Sequence, residues 1–114
     1  MRRKITSETN IGNSVSGKVY LNIHVRGKYT LVTVCDQDLI GKTLREGRLK
    51  LEVTSRFYGG QLATVEEAAE ALSKADTGNL VGENAVRVAV ENNLVDPAAV
   101  IHIAGVPHVQ IVRL

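Results

Sequence analysis

From Val19 to Cys35 the order of side chains spells a β-hairpin, and the rest of the chain has to be built around it. Val19, Leu21, Ile23 and Val25 alternate with Tyr20, Asn22, His24 and Arg26, the period of two that gives a half-buried strand one apolar face. Arg26-Gly27-Lys28 follows as a turn, because Gly27 reaches positive φ without a steric cost. Tyr29 to Cys35 (YTLVTVC) is more uniformly apolar, as an inner strand should be.

The pattern then changes. Asp36 to Gly41 reads as one helical turn, with Asp36 capping its start and Gly41 ending it. A basic stretch runs from Lys42 to Lys50. Leu49, Leu51 and Val53 alternate with Lys50 and Glu52 as a third strand, and Phe57-Tyr58-Gly59-Gly60 interrupts the order as a loop. Thr64-Val65-Glu66-Glu67 is a capping box. Val65, Ala68, Ala69 and Leu72 then fall on one face of a helix, for which Gly78 is the expected stop. A second helix is expected from Asn79 or Gly82 to Asn93, with Val81, Ala85, Val88 and Ala89 facing inward. Asp96-Pro97 marks a turn. Val100 to Ala104 reads as a fourth strand, Gly105-Val106-Pro107 as a turn, and His108 to Arg113 as a fifth strand.

These elements predict an α+β fold: a two-layer sandwich with a mainly antiparallel sheet of about five strands and two helices on one face. The other face would carry Tyr20, Asn22, His24, Lys50, Glu52, His108 and Gln110. Residues 1–16 read as a flexible basic and polar tail, and residues 17–114 as a single domain, as 114 residues allow. No apolar run approaches the roughly 18–20 residues that cross a bilayer, and no apolar stretch follows the basic start, so neither a membrane span nor a secretory signal is expected. The lone Cys35 precludes an internal disulfide and suits a reducing, cytoplasmic setting.

Charge is unevenly distributed. Residues 1–60 hold eleven Lys/Arg against five Asp/Glu, a net of +6, and residues 61–114 hold three against seven, a net of −4. Such a division favours an anionic partner for the first half. Lys42, Arg45, Arg48, Lys50 and Arg56, with Arg26 and Lys28 at the hairpin turn, can follow a phosphate backbone, and Tyr20 and His24 can stack on bases. Phe57-Tyr58-Gly59-Gly60 admits two readings. One is a docking loop with Tyr58 as its anchor; the other is a plug that closes the core with Phe57.

Catalytic signatures are sparse. Gly41-Lys42-Thr43 copies the end of a phosphate-binding P-loop, but Asp36 stands where its first glycine belongs, and its carboxylate would repel phosphate. Cys35, Asp36 and His108 are the side chains on which a small thiol or metal-dependent enzyme would draw. The histidines His24, His102 and His108 lack the short paired spacing of a zinc site, and no cofactor motif occurs. Asp36 and Asp38 also suit the start of a helical turn.

The stretches VCDQDLIGKTLREGRLKLEV, FYGG and NLVGENAVRVAVENNLVDPAAVIHIAGVPHVQIV, spanning about Val19 to Arg113, together resemble an archaeal family of uncharacterised proteins, domain of unknown function 424. The resemblance implies a small archaeal cytoplasmic protein and carries no reaction or site residue with it. The reading that combines charge and pattern is a non-enzymatic module for RNA or a ribonucleoprotein. It would act through Lys42, Arg45, Arg48 and Arg56, with Phe57, Tyr58, Gly59 and Gly60 available to a protein partner. A protein–protein adaptor and a homodimer formed by edge pairing are the other arrangements the chain allows.

Overall fold

The computed structural model describes residues 17–113; the tail expected over residues 1–16 lies outside them. The hairpin forms as its pattern predicts. β1 (Lys18–Arg26) and β2 (Tyr29–Cys35) pair antiparallel, with Arg26 opposite Tyr29 at the turn and Tyr20 opposite Cys35 at the far end. Gly27 has φ +58°, so the two-residue turn takes the glycine-first form whose twist suits a hairpin.

Around this pair a mixed sheet of six strands assembles, in the order β5-β1-β2-β6-β8-β7. β5 (Gln61–Thr64) flanks β1, β6 (Thr77–Val81) runs parallel to β2, and β8 (Val106–Val112) joins β6 to the short β7 (Ile101–Ile103). All pairings but β2–β6 are antiparallel, so the expectation of an α+β fold with a mainly antiparallel sheet stands.

Two expectations change. Asn79-Leu80-Val81, assigned from sequence to a helix start, forms part of a central strand. Its apolar run is short enough to suit either state, and Leu80 and Val81 are fully buried between neighbours on both sides. The helix begins only at Glu83. Gly78, expected to stop the first helix, lies in the same strand, and its missing Cβ leaves room for Leu72 and Ile111. Leu49–Glu52, expected in the main sheet, instead pairs as β4 with β3 (Thr43–Glu46) in a separate two-stranded hairpin. The last turn also shifts: Ala104 and Gly105 make it with positive φ, and Val106 and Pro107 belong to β8.

Each face of the sheet has its own core. α2 (Val65–Ser73) and α3 (Glu83–Glu91) cover one face. Ala68, Leu72, Ala85, Val88 and Ala89 pack there on Val19, Val32, Val34, Leu80, Val109 and Ile111, as the helical spacing predicts. The capping box of α2 is complete, with Glu67 N donating to Thr64 Oγ1 and Thr64 N to Glu67 Oε1. The opposite face is partly covered rather than open. Leu44 and Leu51 of the β3–β4 hairpin, with Leu39, Val53 and Tyr58, bury Cys35, Val81 and Ile103. Lys50 and Glu52, expected on the polar face of the sheet, therefore sit on the hairpin. The alternation of Leu49, Leu51 and Val53 was read correctly, but its apolar row caps a sheet that is already complete.

Candidate functional site

The β3–β4 hairpin buries one face and projects the other. Leu44 opposite Leu51 points into the core, so Arg45 opposite Lys50, and Thr43 opposite Glu52, point away from it. Gly47-Arg48 forms the tip, with Gly47 at φ +59°. At the base, Val53 N donates to Lys42 O and Gly41 N to Val53 O, which fixes Lys42 where the two strands part. Glu46 pins the hairpin down: its carboxylate accepts from Ala104 N at 2.6 Å. Lys42, Arg45, Arg48 and Arg56 are all exposed. Lys50 reaches Glu52 at 3.7 Å, and among the described residues no carboxylate pairs with the other four. The structure thus brings Lys42, Arg45, Arg48 and Lys50 onto one small projecting element, with Arg56 just beyond it on α1 (Ser55–Tyr58). Arg26 and Lys28 lie apart, at the β1–β2 turn.

The layers carry opposite charge. α2 and α3 hold five glutamates against one arginine, whereas residues 42–56 hold Lys42, Arg45, Arg48, Lys50 and Arg56 against Glu46 and Glu52. The division between chain halves becomes in three dimensions a division across the sheet.

The Phe57-Tyr58-Gly59-Gly60 stretch sits on a polar row of the sheet. Cross-strand register places Asn22, Thr33, Asn79 and Gln110 side by side on β1, β2, β6 and β8. Phe57 O accepts from Thr33 Oγ1 at 3.0 Å and from His24 Nε2 at 3.0 Å, and Asn22 Nδ2 donates to Gly59 O at 2.7 Å. The His24 and Phe57 rings stack at 5.2 Å. Tyr58, considered from sequence as an exposed anchor, is only 1% exposed, and its hydroxyl donates to Asn79 Oδ1. Gly59 and Gly60 are required sterically: a Cβ on Gly60 would meet Leu21 O at 2.3 Å and one on Gly59 would meet Ser55 O at 2.4 Å. The role of Asn22, Thr33 and Asn79 escaped the sequence reading. Their one signal was a polar residue inside each strand, and only register shows that the four form a row.

The reactive side chains do not converge. Cys35 is fully buried, and burial first, with Asp36 and Asp38 adding, pushes its thiol up to about 12. Asp36 does not cap the turn Gln37–Leu39, as expected from sequence, but the N-terminus of α3. Its carboxylate accepts from Ala85 N at 2.8 Å, Asn84 N at 3.0 Å and Asn84 Nδ2 at 3.2 Å. A carboxylate there meets the positive end of the helix dipole. Burial nevertheless raises its pKa, with the hydrogen bonds from Asn84 and Ala85 opposing and Asp38 reinforcing. Gly82, at φ +113°, makes room for it, since a Cβ would lie 2.4 Å from Asp36 Cγ. His108 is nearly buried, with Nδ1 donating to Leu80 O at 2.8 Å. Val81 lies between it and Cys35 in the cross-strand row, so the two are two strand spacings apart, about 9–10 Å. Among the described residues no three His, Cys, Asp or Glu side chains gather as a metal-ligand set, and no helix is long and apolar enough to cross a membrane.

Comparison with known proteins matches the pattern of the second half and most of the first. Residues 23–114 fit the model of a family described as "Protein of unknown function (DUF424)". A crystal structure of an uncharacterized conserved protein from Methanopyrus kandleri is similar at 31% identity and a TM-score of 0.70, over 85% of this chain and 95% of that one. A search among curated proteins returns no match. The family's pattern runs through the basic hairpin, the polar row beneath Phe57 and the Asp36–α3 contact, and this chain belongs to the DUF424 family of proteins of unknown function.

Proposed function

We propose that this protein is a cytoplasmic, non-enzymatic module that binds RNA or a ribonucleoprotein through the outer face of the β3–β4 hairpin. The observation that supports the reading most is the set of exposed cations Lys42, Arg45, Arg48 and Arg56, without carboxylate partners among the described residues. They stand on an element held rigidly by Leu44, Leu51 and the Glu46–Ala104 contact. Hairpin ends four to five residues apart are roughly 15 Å from each other, a span of two to three phosphates on an extended strand. Acidic α2 and α3 on the opposite side of the sheet would orient the molecule, hairpin first, toward a polyanion.

Fluorescence anisotropy of a labelled, unstructured RNA oligonucleotide, titrated with the full chain at several salt concentrations, tests this. Each cation that meets a phosphate steepens the dependence of log K on log salt by about 0.7 on a single strand. Reversing all four (K42E, R45E, R48E, R56E) should abolish binding, and single reversals should each flatten the slope. Equal binding by the fourfold variant, with an unchanged melting temperature, would refute the placement.

A further inference from the structure

We propose that the outer edge of β1 from Ile23 to Arg26 is a docking strand for a second copy of this chain, paired antiparallel about His24. β5 covers β1 only as far as Leu21, opposite Gln61. Beyond that point no strand among the described residues lies on this side of β1. The turn determines which main-chain groups the edge presents. Arg26 and Tyr29 close a two-residue turn, which makes them a hydrogen-bonded pair, and such pairs alternate along an antiparallel ladder. His24 and Asn22 therefore turn their N–H and C=O toward β2, while Ile23 and Val25 turn theirs outward. The Ile23 and Val25 side chains are 52% and 62% exposed, on the face that Val32 continues into the core.

A two-fold axis through His24 sets Ile23 opposite Val25 of the other copy, and Val25 opposite its Ile23. Those are the residues whose main-chain groups face outward, so all eight outward groups of the two copies meet in four hydrogen bonds. The exposed β-branched side chains become cross-strand neighbours, the pairing that stabilises sheets best. Other centres fail. About Ile23, Val25 would face Leu21, where β5 already sits; about Val25, Ile23 would face the Gly27 turn. Charge is compatible, because Arg26 faces Asn22 of the other copy and no like charges oppose one another. The contact is self-complementary and closes as a pair. It continues one sheet through both copies and leaves both basic hairpins on the same side.

A stable interface engages roughly 20–30 residues a side, and this edge offers about five, so the dimer is a weak one that forms with rising concentration. The register gives a sharper test. Full-length Ile23→Cys and Val25→Cys proteins are oxidised separately and as a mixture; Cys35 is buried and does not compete. The mixture should form a disulfide-linked dimer far in excess of either protein alone. Like positions lie about 9 Å apart across the axis, beyond the usual Cα separation of a disulfide. In sedimentation at up to ~0.5 mM, the wild type should dimerise, and a variant with Ile23→Lys and Val25→Lys should remain a folded monomer. A wild type monomeric throughout, with no excess cross-linking in the mixture, overturns the proposal. So does open-ended polymer, which would mean that β1 pairs with a different edge.

Discussion

Replacing Asp36 by alanine is the most searching perturbation of this fold, because one carboxylate joins elements 48 residues apart in sequence. It accepts three hydrogen bonds, two of them from the first free N–H groups of α3. The Asn84 N–H lies near solvent and can find water. The Ala85 N–H is buried, and leaving such a donor unpaired costs about 1–3 kcal/mol. The lost cap and the small void bring the expected loss to about 2–3 kcal/mol, a fall in melting temperature on the order of 10 °C for a domain of this size. Asparagine keeps one acceptor for Ala85 but sets its own N–H2 against Asn84 N, and should cost about 1 kcal/mol. Urea unfolding followed by circular dichroism, with m unchanged, measures both. If alanine cost under about 0.5 kcal/mol, or no more than asparagine, α3 would not depend on this cap. The pH dependence has a definite sign. Because burial raises its folded-state pKa, Asp36 holds its proton more tightly folded than unfolded. Its contribution is then greatest below the unfolded value of about 3.9 and declines as pH rises through the folded one. The wild type's advantage over Asp36→Asn should accordingly be larger at low pH than at neutrality, and a gap that widens with pH would reverse the assignment.

Three further outcomes follow from the same geometry. Gly82→Ala should destabilise by about 3 kcal/mol or more, since it combines a positive φ with a Cβ driven into Asp36; a melting temperature within a degree or two of wild type would contradict it. Tyr58→Phe should cost about 1–2 kcal/mol by stranding Asn79 Oδ1 beneath a buried ring, and Asn79→Ala combined with it should add little, which a double-mutant cycle reads directly. Cys35, with its thiol at about 12, should react with a thiol reagent at pH 8 more than ~10³-fold more slowly than in urea, and fast labelling of the native protein would show the site to be open.

The local order of side chains was enough to specify the β1–β2 hairpin, the α2 capping box, the inner faces of both helices and the concentration of cations between Lys42 and Arg56. Each depends on neighbours within a few residues: alternation, the i, i+3, i+4 spacing, a glycine at a turn. Where the reading failed, the deciding partner was remote. Leu80 and Val81 became strand because β2 and β8 enclose them, and Leu51 left the main sheet because Leu44 and the far face of that sheet claimed it. Asp36 looked like a local cap, yet its donors lie on α3. Tyr58 looked like an exposed anchor until register set Asn22, Thr33 and Asn79 in one row beneath it. Periodicity says which face of an element is apolar, but it carries no information on which of several apolar faces that face will meet. That choice is made by cross-strand register and by the filling of two separate cores, which exist only once the chain has folded.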